Sequence, residues 1–90
     1  MSHIEIYSKS YCPFCKRAKA LLDSKGASYH EYEVSTDETL LREMHTRSGR
    51  RTVPQVFINN QHIGGSDDLI AAEQSGLLDE LLGSGQAASA

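Results

Sequence analysis

Tyr11-Cys12-Pro13-Phe14-Cys15 marks the place where the chain turns from strand to helix, and it holds both cysteines of the 90-residue sequence. Upstream, Ile4-Glu5-Ile6-Tyr7 alternates as a half-buried strand does. Downstream, Phe14, Ala18, Leu21 and Leu22 recur at helical spacing until Gly26, which suits a C-terminal cap. Pro13 fits the first helical position, where its missing N–H is no loss. Cys12 therefore falls at or beside the N-cap, with Cys15 one turn further on and on the same face. A thiol at that position meets unpaired backbone N–H groups and the positive end of the helix dipole, and both favour the thiolate. The stretch is a candidate redox centre.

The rest of the chain can be laid out around that turn. A first strand is expected over about His3 to Ser8 and a first helix over about Pro13 to Lys25. Ser28 to Val34 predicts a second strand, with Tyr29, Tyr32 and Val34 as its bulky residues. Ser35-Thr36-Asp37-Glu38 has the form of a capping box and opens a second helix with Leu40, Leu41 and Met44 on its buried side and Gly49 as its stop. Val53 to Ile58 is the most strand-like segment; Asn59-Asn60 is turn material, and Gln61-His62-Ile63 returns as a short partner. After Gly64-Gly65, Ser66 is expected to cap a third helix carrying Leu69, Ile70 and Ala72, and Leu77, Leu78, Leu81 and Leu82 supply a last apolar turn. Residues 1–82 thus form one domain, and 83–90, small and polar, are expected to be a disordered tail.

The order β-α-β-α-β-β-α predicts an α/β domain. Strands one and two run parallel through a crossover, strands three and four form an antiparallel hairpin, and the mixed four-stranded sheet carries helices on both faces.

Composition narrows the function. With 39% hydrophobic and 23% charged residues the chain is an ordinary globular one, and a net charge of −3 offers no general attraction to nucleic acid or anionic membrane. No apolar run approaches the ~20 residues of a membrane span. Met1-Ser2-His3-Ile4 lacks the apolar core of a signal peptide. Two cysteines in such a chain point to a reducing, cytoplasmic setting rather than a secreted disulfide scaffold.

Cys12 is expected to be the nucleophile. A free thiol is only about 3% ionised at neutral pH, whereas thiols at helix N-termini and in C-x-x-C motifs titrate at roughly 3.5–7.5. A drop of about three units needs ~4 kcal/mol of preference for the charged form. The helix dipole supplies only ~0.3–2 kcal/mol of it. Hydrogen bonds to the sulfur and nearby cations must provide the rest, and Lys9 is the cation best placed by sequence. Cys15, inside the helix and shielded by Phe14, has the spacing of a resolving thiol. A structural zinc site would need further ligands, and His30, His45 and His62 are scattered, so no metal is expected. A pair of inert core cysteines fits poorly with a proline-initiated turn among polar residues.

Three separated motifs, Tyr11-Cys12-Pro13-Phe14-Cys15, Thr52-Val53-Pro54 and Gly64-Gly65-Ser66-Asp67-Asp68, together resemble those of short bacterial dithiol glutaredoxins, and the resemblance spans about residues 3 to 82. It implies the thioredoxin fold and a glutathione-dependent thiol–disulfide oxidoreductase, acting on protein–glutathione mixed disulfides and on protein disulfides such as that of ribonucleotide reductase. It further implies that the Val53–Pro54 peptide is cis beside Cys12, and that Val53 offers its backbone N–H and C=O to an extended substrate. On its own, Val-Pro ahead of a strand would be a simple entry turn. By the same resemblance Gly65 and Ser66 receive the γ-glutamyl carboxylate of glutathione and Asp67 its ammonium, while Asp68 contributes more weakly. Lys9, or a basic residue such as Arg51, meets the glycyl carboxylate. Thr52 and Phe14 complete the expected glutathione site. Phe14 stands where tyrosine is commonest in the family, and Ser66 where many relatives carry a third cysteine.

Two other readings compete with it. One is an iron–sulfur carrier sharing a cluster across a dimer, which Pro13 and Cys15 disfavour. The other is a redoxin served by thioredoxin reductase in place of glutathione. The expected partners are glutathione and glutathionylated or disulfide-bonded proteins, with the chain acting as a monomer and without nucleic acid or membrane.

Overall fold

Pro13 opens a helix and Asn59-Asn60 closes a hairpin, and between them they set most of the topology. The computed structural model describes residues 3–82, so the tail expected to be disordered lies outside the described residues. Its elements are β1 (Ile4–Ser8), α1 (Pro13–Ser24), β2 (His30–Glu33), α2 (Glu38–Ser48), β3 (Gln55–Ile58), β4 (Gln61–Gly64) and α3 (Ser66–Ser75). Residues 77–82 add a further helical stretch.

The sheet order is β2-β1-β3-β4. β1 runs parallel to β2, with Tyr7 opposite Tyr32, and antiparallel to β3, with Ile4 opposite Ile58. β3 and β4 form the hairpin; Asn59 and Asn60 take φ of 54° and 67°, the left-handed pair that a two-residue primed turn requires. On one face, Ile4, Ile6, Val56 and Ile58 pack against Ala18 and Leu22 of α1 and Leu69 and Ala72 of α3. On the other, Tyr7, Val34 and Phe57 enclose Met44 of α2. This is the thioredoxin fold. None of its helices among the described residues is long and apolar enough to cross a membrane.

The structure departs from the sequence reading at three places. β1 is not half-buried: all five of its residues are buried, because it lies inside the sheet with helices over both faces. Glu5 is tolerated there because Arg47 of α2 grips it with two bonds, Nη2 to Oε1 at 3.0 Å and Nη1 to Oε2 at 3.2 Å, and the Tyr32 hydroxyl donates a third at 3.0 Å. The second helix is capped by Asp37, whose carboxylate accepts from the Leu40 N–H at 3.0 Å, and not by Ser35. Ser35 is turned back onto β2, its backbone N–H and its hydroxyl both donating to Glu33.

The third helix is capped by Gly65 rather than Ser66. The Gly65 carbonyl already accepts the Leu69 N–H at 2.9 Å, and the Asp68 carboxylate reaches back to the Gly65 N–H at 3.0 Å. Ser66 becomes the first helical residue.

Candidate active site

Cys12 caps α1 with its own sulfur. Its backbone is extended (φ −92°, ψ 114°), Pro13 follows, and Sγ accepts the Cys15 N–H at 3.2 Å. The turn is closed from below by the Cys12 N–H, which donates to the Lys9 carbonyl at 3.1 Å. Opposite, Sγ lies 3.8 Å from the Val53 carbonyl, to which the thiol donates.

The two thiols have different surroundings. Cys12 is partly exposed and Cys15 is 0% exposed. Burial, and then the neighbouring Cys12 sulfur, push the Cys15 thiol up to about 12. Cys15 is therefore a neutral thiol at neutral pH, with its sulfur one turn along from the reactive one. Both cysteines are free.

Beside Cys12 opens a cleft of about 230 Å³ between the α1 turn, the 50–54 loop and the start of α3. The Val53–Pro54 peptide that borders it is cis. Phe14, 54% exposed, forms one wall with the Arg17 guanidinium 5.5 Å from its ring centroid. Thr52, Val53 and Pro54 form the floor, and Gly65, Ser66, Asp67 and Asp68 the far side. A Cβ on Gly65 would make an ordinary contact with the Pro54 carbonyl oxygen, 3.4 Å away, so the helix start lies alongside the cis-proline loop. Gly64 is the position that requires glycine: its φ is +124°, and a Cβ there would collide with the Asp68 carboxylate. Gly64→Ala should therefore displace the Asp68 carboxylate and lower the thermal midpoint by several degrees, about 1–3 kcal/mol of lost stability. A melt of the two proteins checks it.

The rim of the cleft is polar in a specific way. The start of α3, whose first-turn N–H groups have no acceptor one turn back in the helix, borders it. Ser66 Oγ is buried and has no hydrogen-bond partner among the described residues. Arg50 lines the cleft and pairs with Asp68 at 2.8 Å. The Arg50 guanidinium, and then the Gly65 N–H, hold the Asp68 carboxyl below the usual carboxylate range.

Most residues expected from the sequence thus meet around one opening. Lys9 and Arg51 are not among those lining the cleft; Lys9 contributes its carbonyl beneath Cys12, and Arg51 is exposed. Arg50, which sequence reasoning passed over for its neighbour, lines it instead. Nothing in the pair Arg50-Arg51 distinguishes them until the loop's path is known.

Over most of its length the chain is similar to known proteins. The Glutaredoxin family model matches residues 4–63. Glutaredoxin 3 of Escherichia coli K12 is 55% identical over 82 residues, which cover 91% of this chain and 99% of that protein. Among solved structures, a buckwheat glutaredoxin–glutathione complex has a TM-score of 0.83 at 34% identity, covering 90% of this chain and 76% of that one. The solution structure of glutaredoxin from Brucella melitensis has a TM-score of 0.80 at 51% identity, covering 92% and 90%. With its two thiols at the mouth of α1 and a thioredoxin fold around them, the chain belongs to the glutaredoxin family and is a glutathione-dependent thiol–disulfide oxidoreductase.

Proposed function

We propose that Cys12 attacks the glutathionyl sulfur of a protein–glutathione mixed disulfide lying in the cleft. The Cys12–glutathione bond forms, the protein–glutathione bond breaks, and the protein thiol leaves with a proton. A second glutathione thiolate then attacks the glutathionyl sulfur held on Cys12, releasing oxidised glutathione and restoring the thiol. The observation that carries this reading is the Cys12 sulfur on the helix cap, opening beside a cleft bounded by the cis peptide and the N-terminus of α3.

The cleft suits glutathione. The exposed N–H groups of α3 and the unpartnered Ser66 hydroxyl match the γ-glutamyl carboxylate, and Asp67 its ammonium. Val53 presents backbone groups to the tripeptide as an added strand would receive them. Arg50, ion-paired with Asp68 at the α3 end of the cleft, lies on the γ-glutamyl side, and the glycyl carboxylate falls to Lys9 or Arg51 at the other end.

With protein disulfides, ribonucleotide reductase among them, Cys15 finishes the reaction. Its thiol attacks the Cys12 sulfur of the mixed disulfide and passes its proton to the departing substrate thiolate. The resulting Cys12–Cys15 bond is reduced by two glutathione molecules, which leave as oxidised glutathione. Every group needed lies on one chain, so the working unit is a monomer. Two free thiols of this kind fit the reducing cytoplasm.

Cys15→Ser separates the two reactions. Turnover on a glutathionylated peptide should stay within about threefold of the parent, while reduction of a protein disulfide should fall at least about a hundredfold with loss of the intramolecular attack. Paired steady-state assays on the two substrates check it. Equal loss on both would remove the assignment of Cys15 as the resolving thiol.

A further inference from the structure

We infer that His62, on β4, is a positioning residue for this reaction, acting through Gln55 to hold the 52–54 loop where the substrate disulfide must lie. The inference rests on the reading of that loop as the edge that receives glutathione.

The connection can be followed atom by atom. Gln55, the first residue of β3, is 0% exposed. Its Nε2 donates to the Thr52 carbonyl at 3.0 Å and lies 3.2 Å from Thr52 Oγ1. A carbonyl only accepts, so the amide is oriented with nitrogen toward the loop and oxygen toward β4. That oxygen lies 2.7 Å from His62 Nε2. An amide oxygen also only accepts, so His62 must carry a proton on Nε2, whether the ring is neutral or charged. Burial and the nearby Arg50 both push the His62 pKa down, with Asp68 opposing them, which fits a neutral ring in the Nε2–H tautomer. The ring is held in place against Phe57, centroids 4.9 Å apart and planes 33° off parallel.

Without the histidine donor, a fully buried amide oxygen has no hydrogen bond, and turning the amide to relieve it would set oxygen against the Thr52 carbonyl. Either way the grip on Thr52 weakens. The next two residues are Val53, whose carbonyl faces the Cys12 sulfur, and the cis-bonded Pro54. His62 lies on the far side of Gln55 from the loop, so it acts by holding the loop in place for binding and takes no part in the bond exchange.

The test measures kcat and KM on a glutathionylated peptide for the full chain and for Cys12→Ser, Val53→Pro, His62→Leu and His62→Gln. His62→Leu, which keeps bulk and loses the donor, should raise KM about three- to tenfold with kcat changed less than about twofold. His62→Gln can still donate an amide N–H and should bring KM back to within about twofold of the parent. An unchanged KM in His62→Leu would overturn the inference, as would a glutamine variant as impaired as the leucine one. Failure of the underlying reading is distinguishable: if the loop did not receive glutathione, Val53→Pro, which removes the backbone N–H offered to the tripeptide, would leave KM unchanged, and if Cys12 were not the nucleophile, Cys12→Ser would turn over like the parent.

Discussion

Replacing Cys12 by serine should abolish turnover on glutathione mixed disulfides, a loss of about a thousandfold or more that leaves only the uncatalysed exchange. The reason is chemical. A hydroxyl can form no disulfide, so no glutathionyl intermediate can exist on residue 12. The same variant should fold as well as the parent. Serine is a favoured N-cap residue, and its oxygen can accept the Cys15 N–H that the sulfur accepts now. A thermal midpoint equal to or above the parent's, beside dead catalysis, is the expected pair of results. The remaining thiol cannot substitute, because Cys15 is buried and, pushed up to about 12, is neutral at the pH of the assay. If serine at position 12 retained turnover, the attacking sulfur has been misassigned.

The largest expected effect on stability lies on the opposite side of the sheet. Arg47→Ala should destabilise the chain by about 3–5 kcal/mol, because it leaves the buried Glu5 without its two guanidinium bonds and with only the Tyr32 hydroxyl and the exposed His3 ring, 3.7 Å away, beside it. For a domain of this size that is a fall in thermal midpoint of roughly 12–30 °C. The guanidinium does more than pair: it also donates to the Tyr7 hydroxyl at 2.7 Å and lies 4.0 Å from the Phe57 ring centroid. Tyr7 in turn donates to Glu43, and its own pKa is raised to about 12 by burial and by that carboxylate, so it stays a neutral donor. The double variant Glu5→Leu with Arg47→Met removes both charges together and should recover most of the loss.

The pH dependence has a definite sign. The Arg47 hydrogen bonds hold the Glu5 carboxyl below its ordinary value of 4.5, against the opposing pull of burial. A depressed carboxylate contributes stability that is fully present above 4.5 and drains away as pH falls through the folded-state value. In Arg47→Ala the same carboxyl is desolvated without its cation, so acid relieves the variant while it weakens the parent. The gap between the two in urea midpoint should therefore narrow from pH 7 toward pH 4. A gap that stayed constant would mean that the deficit is packing and not charge.

Much of this molecule is legible in its sequence because the local signals are also the functional ones. Pro13 at the start of a helical pattern locates Cys12 on the cap, Gly49 ends α2 with φ +69°, and Asn59-Asn60 forms the hairpin that brings β4 beside β3. Val53-Pro54 needed its neighbours: a Val-Pro pair alone is an entry turn, and only three motifs in order point to the cis peptide. What stayed hidden depends on contacts distant in sequence. Glu5 reads as the solvent side of a half-buried strand because its partner, Arg47, lies on another element. Ser35 and Ser66 read as caps because a hydroxyl in the right place looks the same whether it faces the helix or something else. Arg50 and Arg51 are indistinguishable until the loop has a path. His62 showed no convergent spacing with the other histidines, and its partner Gln55 is apparent only once the hairpin is closed.

The most direct test of the central claim, that the sulfur on the cap of α1 is the one that takes up glutathione, is to trap the intermediate. Cys15→Ser, which cannot resolve it, is mixed with oxidised glutathione, quenched with acid and digested, and the modified peptide is identified by mass. The account predicts a single glutathionyl group, on Cys12, released again by reduced glutathione. No adduct on Cys12, or an adduct that reduced glutathione fails to remove, would contradict it.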